Sequence, residues 1–250
     1  MAFKSAHDPH LASALNERFR GHAERDFTIW AEQHAYATAG DIPADATKAW
    51  IGRQKLNYRG IGARQALRHL ISGNVDQAFL EEIGALANLE RLELEWPMVA
   101  KDLSPLLRLE KLTFLTIDSP RHIADFDLLL RLPALRTLII TDAKKMASLD
   151  WLAEAHHLEV IGIEGSMYSP YTLPSLKPLA GLRSLQALLG VSTKLADDSL
   201  TALAACPDLV FLGIARVAPQ ADFERLQRLK PDLVCDWFRP EMWATLKPPR

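Results

Sequence analysis

The sequence contains little cysteine: Cys206 and Cys235 are the two cysteines among 250 residues. Two cysteines are too few for the disulfide framework that holds small secreted domains together. We therefore expect both to be small buried side chains rather than reactive thiols. This usage favours an intracellular protein in a reducing compartment, and we predict a cytoplasmic location.

Long apolar runs and an excess of one charge are also missing. No window approaches the roughly 18 consecutive apolar residues that a membrane-spanning helix needs. The first residues lack the apolar core of a signal peptide, so we expect neither feature. The formal net charge is −2, which gives no global field to attract nucleic acid or an anionic membrane. We predict that neither is a partner.

Motifs of catalysis and of metal binding are absent from the sequence. It has no glycine-rich phosphate loop, no G-x-S-x-G and no C-x-x-C. The eight histidines do not show the spacing of metal ligands. We therefore predict no catalytic residue, no metal and no cofactor, and we expect a protein that is not an enzyme.

What the sequence does contain is a repeated leucine pattern. In LEKLTFLTI, Leu109–Ile117, the apolar residues are first three apart and then two apart. Related segments begin 23 residues before and after it, at Leu86 and Leu132. Further copies begin at Ala155, Leu182 and Cys206, and an incomplete seventh repeat starts with Phe223, Leu226 and Leu229. Tyr58, Ile61, Leu67 and Leu70 form a degenerate repeat before the first.

The change of spacing predicts a change of backbone within each repeat. Alternation at the end of a copy indicates a short strand, in which Leu115 and Ile117 point the same way. The preceding three-residue spacing indicates a tight 3₁₀-like coil. One repeat cannot bury enough apolar surface to fold alone, so the repeats are expected to stack strand beside strand. Leu92, Leu115 and Leu138 should then form one row.

The pattern L-x-x-L-x-x-L-x-x-L-x-x-L-x-L resembles the leucine-rich repeats of the short internalin-like class, over about residues 58–237. This resemblance implies an α/β fold: a right-handed solenoid with a parallel concave β-sheet and short helical or 3₁₀ convex segments. The family usually has Asn three residues after the last position of the L-x-L step. That position holds Pro97, Pro120, Ala143, Ser166, Thr193 and Val217 here, so we expect less regular turns.

Residues 1–57 and 238–250 do not follow the repeat. We interpret residues 1–57 as a helical N-terminal cap, with an independent helical module as the alternative. Asp8-Pro9 is a favourable helix start, a second helix is predicted from about His22 to Gly40, and a third over residues 44–54. Residues 238–250, with Met242, Trp243 and Leu246, are predicted to fold back as a C-terminal cap.

The exposed positions of the predicted strands are the candidate binding surface. The early strands are acidic and the later ones apolar at Ile139, Val160, Leu189 and Val191, a patch that a terminal segment could alternatively cover. The carboxylates of Glu95 and Asp118 either await a cationic group or are screened by a base such as Arg121. The residues that we predict to bind a partner are Glu93, Glu95, Trp96, Phe114, Thr116, Asp118, Thr141, Glu164, Tyr168, Tyr171 and Phe211.

These observations indicate a non-enzymatic protein–protein interaction module. Its partner would be another protein with a basic rim and an apolar anchor, because the strands offer acidic and apolar residues. An inhibitor or immunity-type protein, or a delivered bacterial effector, is the alternative by analogy of fold. An enzyme subunit that uses the N-terminal residues 1–57 is a further alternative.

Overall fold

The computed structural model describes residues 8–22, 32–166 and 169–244. The chain divides into two compact units, Arg25–Ala147 and Met1–Glu24 together with Ser148–Arg250. We name the first the N-terminal repeat unit and the second the C-terminal repeat unit. None of the helices that the structure describes has the length and apolar composition required to cross a lipid bilayer.

The N-terminal repeat unit contains parallel strands that follow one another in chain order. They are β1 (Lys48–Gly52), β2 (His69–Gly73), β3 (Arg91–Glu95), β4 (Phe114–Asp118) and β5 (Thr137–Thr141). Each pairs in parallel with the next. The register places Leu92 beside Leu115 and Leu115 beside Leu138. The predicted row of leucines is therefore confirmed.

The C-terminal repeat unit has two parallel sheets. The larger one pairs β6 with β8 and β8 with β10, and the smaller one pairs β7 with β9. The strands are β6 (Val160–Glu164), β7 (Tyr171–Leu173), β8 (Ala187–Gly190), β9 (Thr193–Leu195) and β10 (Phe211–Ile214). Ile161, Leu188 and Leu212 form its row of inward leucines and isoleucine.

The change of spacing in LEKLTFLTI corresponds to the predicted change of backbone. The Leu112 N–H donates to the Leu109 carbonyl at 3.0 Å, which closes a three-residue turn. β4 follows, and its alternation directs Leu115 and Ile117 to the same side. All four side chains are at most 1% exposed. Both spacings therefore bury apolar side chains in one core.

The first helix begins where the sequence predicts it. α1 spans Pro9–Phe19, with Asp8 as its N-cap, and the Asp8 carboxylate accepts the His10 N–H at 2.9 Å. The second predicted helix, from His22 to Gly40, falls partly on residues 23–31, which lie outside the described residues. Its predicted end near Gly40 is wrong: the described residues are helical only up to His34, and Ala35 forms a β-bridge with Trp50.

The third predicted helix, over residues 44–54, is wrong. The chain there forms β1, which pairs in parallel with β2 from Lys48 to Gly52. Ala49 and Ile51 are buried on one side of β1, the two-residue period of a strand. β2 supplies the hydrogen-bond partners that the local sequence does not reveal. The sheet thus begins inside the segment that we predicted to be the cap.

Short 3₁₀- and α-helices lie between many of the successive strands. The 3₁₀-helices span Ala39–Asp41, Ile61–Ala63, Ser104–Arg108, Asp127–Arg131, Asp150–Glu154, Lys177–Leu179, Thr201–Ala205 and Asp236–Phe238. The remaining α-helices are α2 (Gln77–Ile83), α3 (Gln220–Leu229) and α4 (Pro240–Ala244). Together with the parallel strands, these elements confirm the predicted α/β repeat fold.

The leucine pattern predicts the buried residues of the degenerate repeat before the first one better than those of the incomplete seventh repeat. Before the first full repeat, Tyr58, Ile61, Leu67 and Leu70 are all buried, as predicted. In the seventh repeat Phe223 and Leu226 are buried, but Leu229 is 56% exposed, so its assignment as a core position is wrong. The reason is that α3 is an α-helix with 3.6 residues per turn. Positions three apart drift around it, whereas they eclipse in a 3₁₀-helix.

The turns after the strands use hydrogen bonds between backbones where the family has asparagine. In the N-terminal repeat unit the Val99 N–H donates to the Val75 carbonyl at 2.8 Å, and the Arg121 N–H donates to the Met98 carbonyl at 3.1 Å. The backbone is left-handed at Ser119, directly after β4, and at Asp142, directly after β5, with φ of 51° and 52°. Successive turns are therefore tied to one another in spite of the missing asparagine.

Candidate functional site

The outward side of β3, β4 and β5 forms the candidate binding surface of the N-terminal repeat unit. Because the strands are in register, their outward side chains form three columns: Arg91, Phe114 and Thr137; Glu93, Thr116 and Ile139; Glu95, Asp118 and Thr141. We call these nine residues, with Trp96 at their rim, the sheet face. Seven of the predicted binding residues lie on it: Glu93, Glu95, Trp96, Phe114, Thr116, Asp118 and Thr141.

One side of the sheet face is a buried charge cluster around Glu93. The Glu93 Oε1 atom lies 2.9 Å from the Arg91 Nε and 2.8 Å from the His69 Nε2. The Arg91 guanidinium also lies 3.7 Å from the centroid of the Phe114 ring. Glu93 is 7% exposed. We therefore expect Glu93 to fix the orientation of Arg91, which in turn presents the Phe114 ring to one side of the sheet face.

The opposite side of the sheet face is acidic. The Ser119 hydroxyl donates to Asp118 Oδ1 at 2.8 Å and lies 3.5 Å from Asp142 Oδ2. Burial raises the pKa of the Asp118 carboxyl, the hydrogen bond from Ser119 lowers it, and the Asp142 carboxylate raises it again. The Lys144 Nζ lies 3.6 Å from Asp142 Oδ2. Asp118 therefore carries its negative charge at a cost that a cationic group would relieve.

Removing the charge of Asp118 should change how stability depends on pH. With a folded-state pKa above the unfolded value, the folded protein binds more protons between the two values. The free energy of unfolding therefore falls as the pH rises from 3.8 through the folded-state pKa. We expect Asp118→Asn to unfold at a higher urea concentration than the wild type at neutral pH, with the difference disappearing below pH 3.8.

The matched control for this measurement is Asp208→Asn, because Asp208 is exposed. It should change the urea midpoint little at either pH. An Asp118→Asn protein that is less stable than the wild type at neutral pH would show that the carboxylate is already compensated in the folded state.

Trp96 is the most exposed large side chain of the sheet face. It is 61% exposed, directly after β3. The guanidinium carbon of Arg121 lies 6.0 Å from the centroid of its ring. Arg121 therefore lies near Trp96, and both interpretations of Glu95 and Asp118 stay predictions.

The other predicted binding residues lie in the C-terminal repeat unit, except that Tyr168 falls outside the described residues. Tyr171 belongs to β7 in the smaller sheet and is half-buried, which raises its pKa. Glu164 and Phe211 lie on the outward side of β6 and β10, but they are only 7% and 3% exposed. Arg20 and Phe19, at the end of α1, contact them. Of the predicted apolar patch, Ile139, Val160 and Leu189 are buried, whereas Val191 is 53% exposed.

The contacts of α1 are specific. The Arg20 guanidinium, just after the helix, donates from Nη1 to Glu164 Oε2 at 3.0 Å and from Nη2 to Glu164 Oε1. The Phe19 ring stacks on Phe211, with centroids 5.8 Å apart and 13° between the planes. The Asp8-Pro9 helix start predicted this helix but not the surface against which it packs.

The polar partners of the sheet face, His69 and Asp142, are not among the residues predicted from the sequence. His69 lies on β2 and pairs with Glu93 because β2 lies beside β3. The degenerate repeat before the first full repeat only partly indicated β2. Asp142 lies just beyond β5, outside the three predicted columns. Extending the alignment by one strand and by one residue past each strand would have identified both.

The two cysteines are predicted to be buried rather than reactive, and no metal site is predicted. Cys206 and Cys235 are both buried, and burial raises the pKa of the Cys235 thiol to about 12. This thiol is therefore protonated near neutral pH and is a poor nucleophile. Within residues 8–22, 32–166 and 169–244, no three His, Cys, Asp or Glu side chains converge in a way that could hold a metal ion.

Comparison with solved structures finds bacterial leucine-rich-repeat proteins. Internalin C2 of Listeria monocytogenes is 19% identical with a TM-score of 0.49, over 82% of this chain and 80% of that chain. An internalin of the same organism, InlF, is 16% identical with a TM-score of 0.35, over 75% and 78%. A leucine-rich-repeat protein of Leptospira interrogans is 13% identical with a TM-score of 0.42, over 80% and 69%.

No family model matches the chain, and no curated protein matches it in sequence. The leucine-rich-repeat fold is evident in the register of the strands: core-facing leucine or isoleucine residues of successive repeats lie side by side in both units.

Proposed function

Because this chain has the leucine-rich-repeat fold, we propose that it is a protein–protein interaction module whose partner binds the sheet face of the N-terminal repeat unit. The observation that carries this proposal is the set of outward side chains held in register by β3, β4 and β5. A rigid sheet presents these side chains in fixed positions, which suits the recognition of another protein surface. We therefore propose a non-enzymatic role.

The chemistry of the sheet face specifies the kind of partner. Phe114 and Trp96 supply aromatic surface, the residue type that most often dominates binding energy. Asp118 and Asp142 supply negative charge at the neighbouring edge, where the raised pKa of Asp118 makes the gain of a cation favourable. We propose a protein partner with an apolar anchor and a basic rim, met in the cytoplasm.

Truncation of Trp96 tests the proposal. We expect Trp96→Ala to weaken binding by about 2 kcal/mol or more, roughly thirtyfold, because an exposed aromatic ring is lost from the contact. The partner would first be identified by cross-linking to the full chain and purified, and the affinity would then be measured by calorimetry. Asp118→Asn should weaken binding at low salt more than at high salt, because screening already reduces the attraction of its charge.

The matched control is Leu229→Ala, since Leu229 is another large exposed apolar residue, at 56%, and belongs to the C-terminal repeat unit. It should leave the affinity unchanged. Equal affinities for Trp96→Ala, Phe114→Ala and the wild type would reject the sheet face as the binding surface.

A further inference from the structure

The C-terminal repeat unit has a second outward surface, which α1 occupies. We call it the helix-binding face and define it by Glu164 on β6, Val191 after β8, and Phe211 and Gly213 on β10. The Glu164 carboxylate is held in place by the Val191 N–H, which donates to Oε1 at 3.2 Å. A carboxylate that is only 7% exposed requires a cationic partner. The Arg20 guanidinium provides it through a bidentate pair of hydrogen bonds to both oxygens of Glu164.

The backbone of β10 is shaped to let an aromatic ring lie flat. A Cβ atom at Gly213 would come within 2.8 Å of the Phe211 ring. Glycine at this position therefore leaves room for Phe211 to lie along the strand and to stack on Phe19. The helix-binding face thus recognises two adjacent residues of a helix: an aromatic ring and the arginine that follows it.

α1 fills the helix-binding face incompletely. Its side chains Ala12 and Phe19 are buried, whereas Leu11 and Leu15 are only half-buried. An open cavity of about 440 Å³ remains beside the helix, lined by Ala12, Ser13, Asn16, Val191, Phe211, Asp236, Arg239 and residues 212–215. Two of these residues, Ser13 and Val191, are exposed, so the cavity is open to solvent. A helix with a larger apolar side chain at the position of Ser13 would remove part of this apolar lining from water.

α1 is also a short helix, with 11 residues. Isolated helices of this length are marginal in water, so most of its stability must come from the contacts below it. Its described attachment includes the Phe19–Phe211 stack and the Arg20–Glu164 ion pair. A competing helix that makes both contacts would therefore weaken the attachment of α1.

We propose that the helix-binding face is a second docking site, which takes an amphipathic helix of a partner protein that carries an aromatic residue followed directly by arginine. α1 occupies the site until that helix displaces it. This surface belongs to the C-terminal repeat unit, so the proposal does not depend on the sheet face.

The test uses the full chain and a synthetic peptide of residues 8–22 as the probe helix. Arg20→Glu in the chain places two carboxylates together and should release α1. We expect the labelled peptide to bind this variant at least about tenfold more tightly than the wild type, in which α1 competes from a high effective concentration. Amide hydrogen exchange within α1 should rise by a similar factor. The control, Arg183→Glu, reverses an exposed arginine and should change neither value.

A charge exchange keeps the test decisive even if Arg20→Glu alone disturbs folding. The chain with Glu164→Arg should bind the peptide that carries Arg20→Glu and reject the unmodified peptide. A peptide with Ser13→Leu should bind the Arg20→Glu chain more tightly than the unmodified peptide, because it fills the cavity. Circular dichroism would establish that each variant retains its fold.

Three results would overturn the proposal. The peptide could bind neither variant, or it could bind the wild type and Arg20→Glu equally, which would show that α1 does not guard a site. A concentration-dependent dimer of the wild type in sedimentation would assign the helix-binding face to α1 of a second copy instead of a partner helix.

Discussion

Phe126→Ala should lower the free energy of unfolding by about 3 to 5 kcal/mol, the usual loss for a fully buried phenylalanine. Phe126 is 0% exposed and occupies the position that precedes the 3₁₀-helix Asp127–Arg131. Its removal leaves a cavity in the core that the stacked repeats share, and close-packed neighbours relax into such a cavity only partly. The measurement is the midpoint of urea unfolding at constant pH, with circular dichroism as the signal of the folded state.

The matched control is Phe114→Ala, which removes the same side chain from the outward side of β4. Its ring is half-buried and contacts the Arg91 guanidinium, an interaction of about 0.5 to 2 kcal/mol. The loss should therefore be clearly smaller than for Phe126→Ala. Equal losses would mean that the two rings occupy equivalent environments, against the full burial of Phe126 and the half-burial of Phe114.

Glu93→Ala should also lower the free energy of unfolding by about 3 to 5 kcal/mol, because removing one member of a buried ion pair leaves the other without compensation. The Arg91 and Glu93 side chains are 17% and 9% exposed. Within the described part of the chain, Arg91 Nη2 is already buried without a hydrogen-bond partner, so the guanidinium has little alternative solvation. Urea unfolding of the Glu93→Ala protein would measure the change in its free energy of unfolding.

Glu95→Ala is the control for this prediction. Glu95 lies two residues further along the same strand and on the same side, but it is only half-buried. Its truncation should lower stability less than that of Glu93. If Arg91→Ala combined with Glu93→Ala were no more stable than Glu93→Ala alone, then the stranded guanidinium would not be the cause of the loss.

Much of the sheet face follows from the sequence alone. The two-residue alternation places Glu93, Phe114 and Asp118 outward, since each is flanked by leucine or isoleucine that faces the core. The side-chain partners of these residues do not follow in the same way. His69 and Asp142 reach the sheet face through a neighbouring strand and a turn, so the spacing within β3, β4 and β5 does not identify them.

The sequence by itself determined the repeat, its strands and the row of Leu92, Leu115 and Leu138. Hydrophobic periodicity is a local property, and each repeat must bury the same positions against its neighbours. Tertiary structure decided the rest: that residues 48–52 form a strand beside β2, and that Arg20 and Phe19 cover part of an outward surface. Arg20 and Glu164 are 144 residues apart. A contact of that range depends on where the chain returns in space, which no period within one segment records.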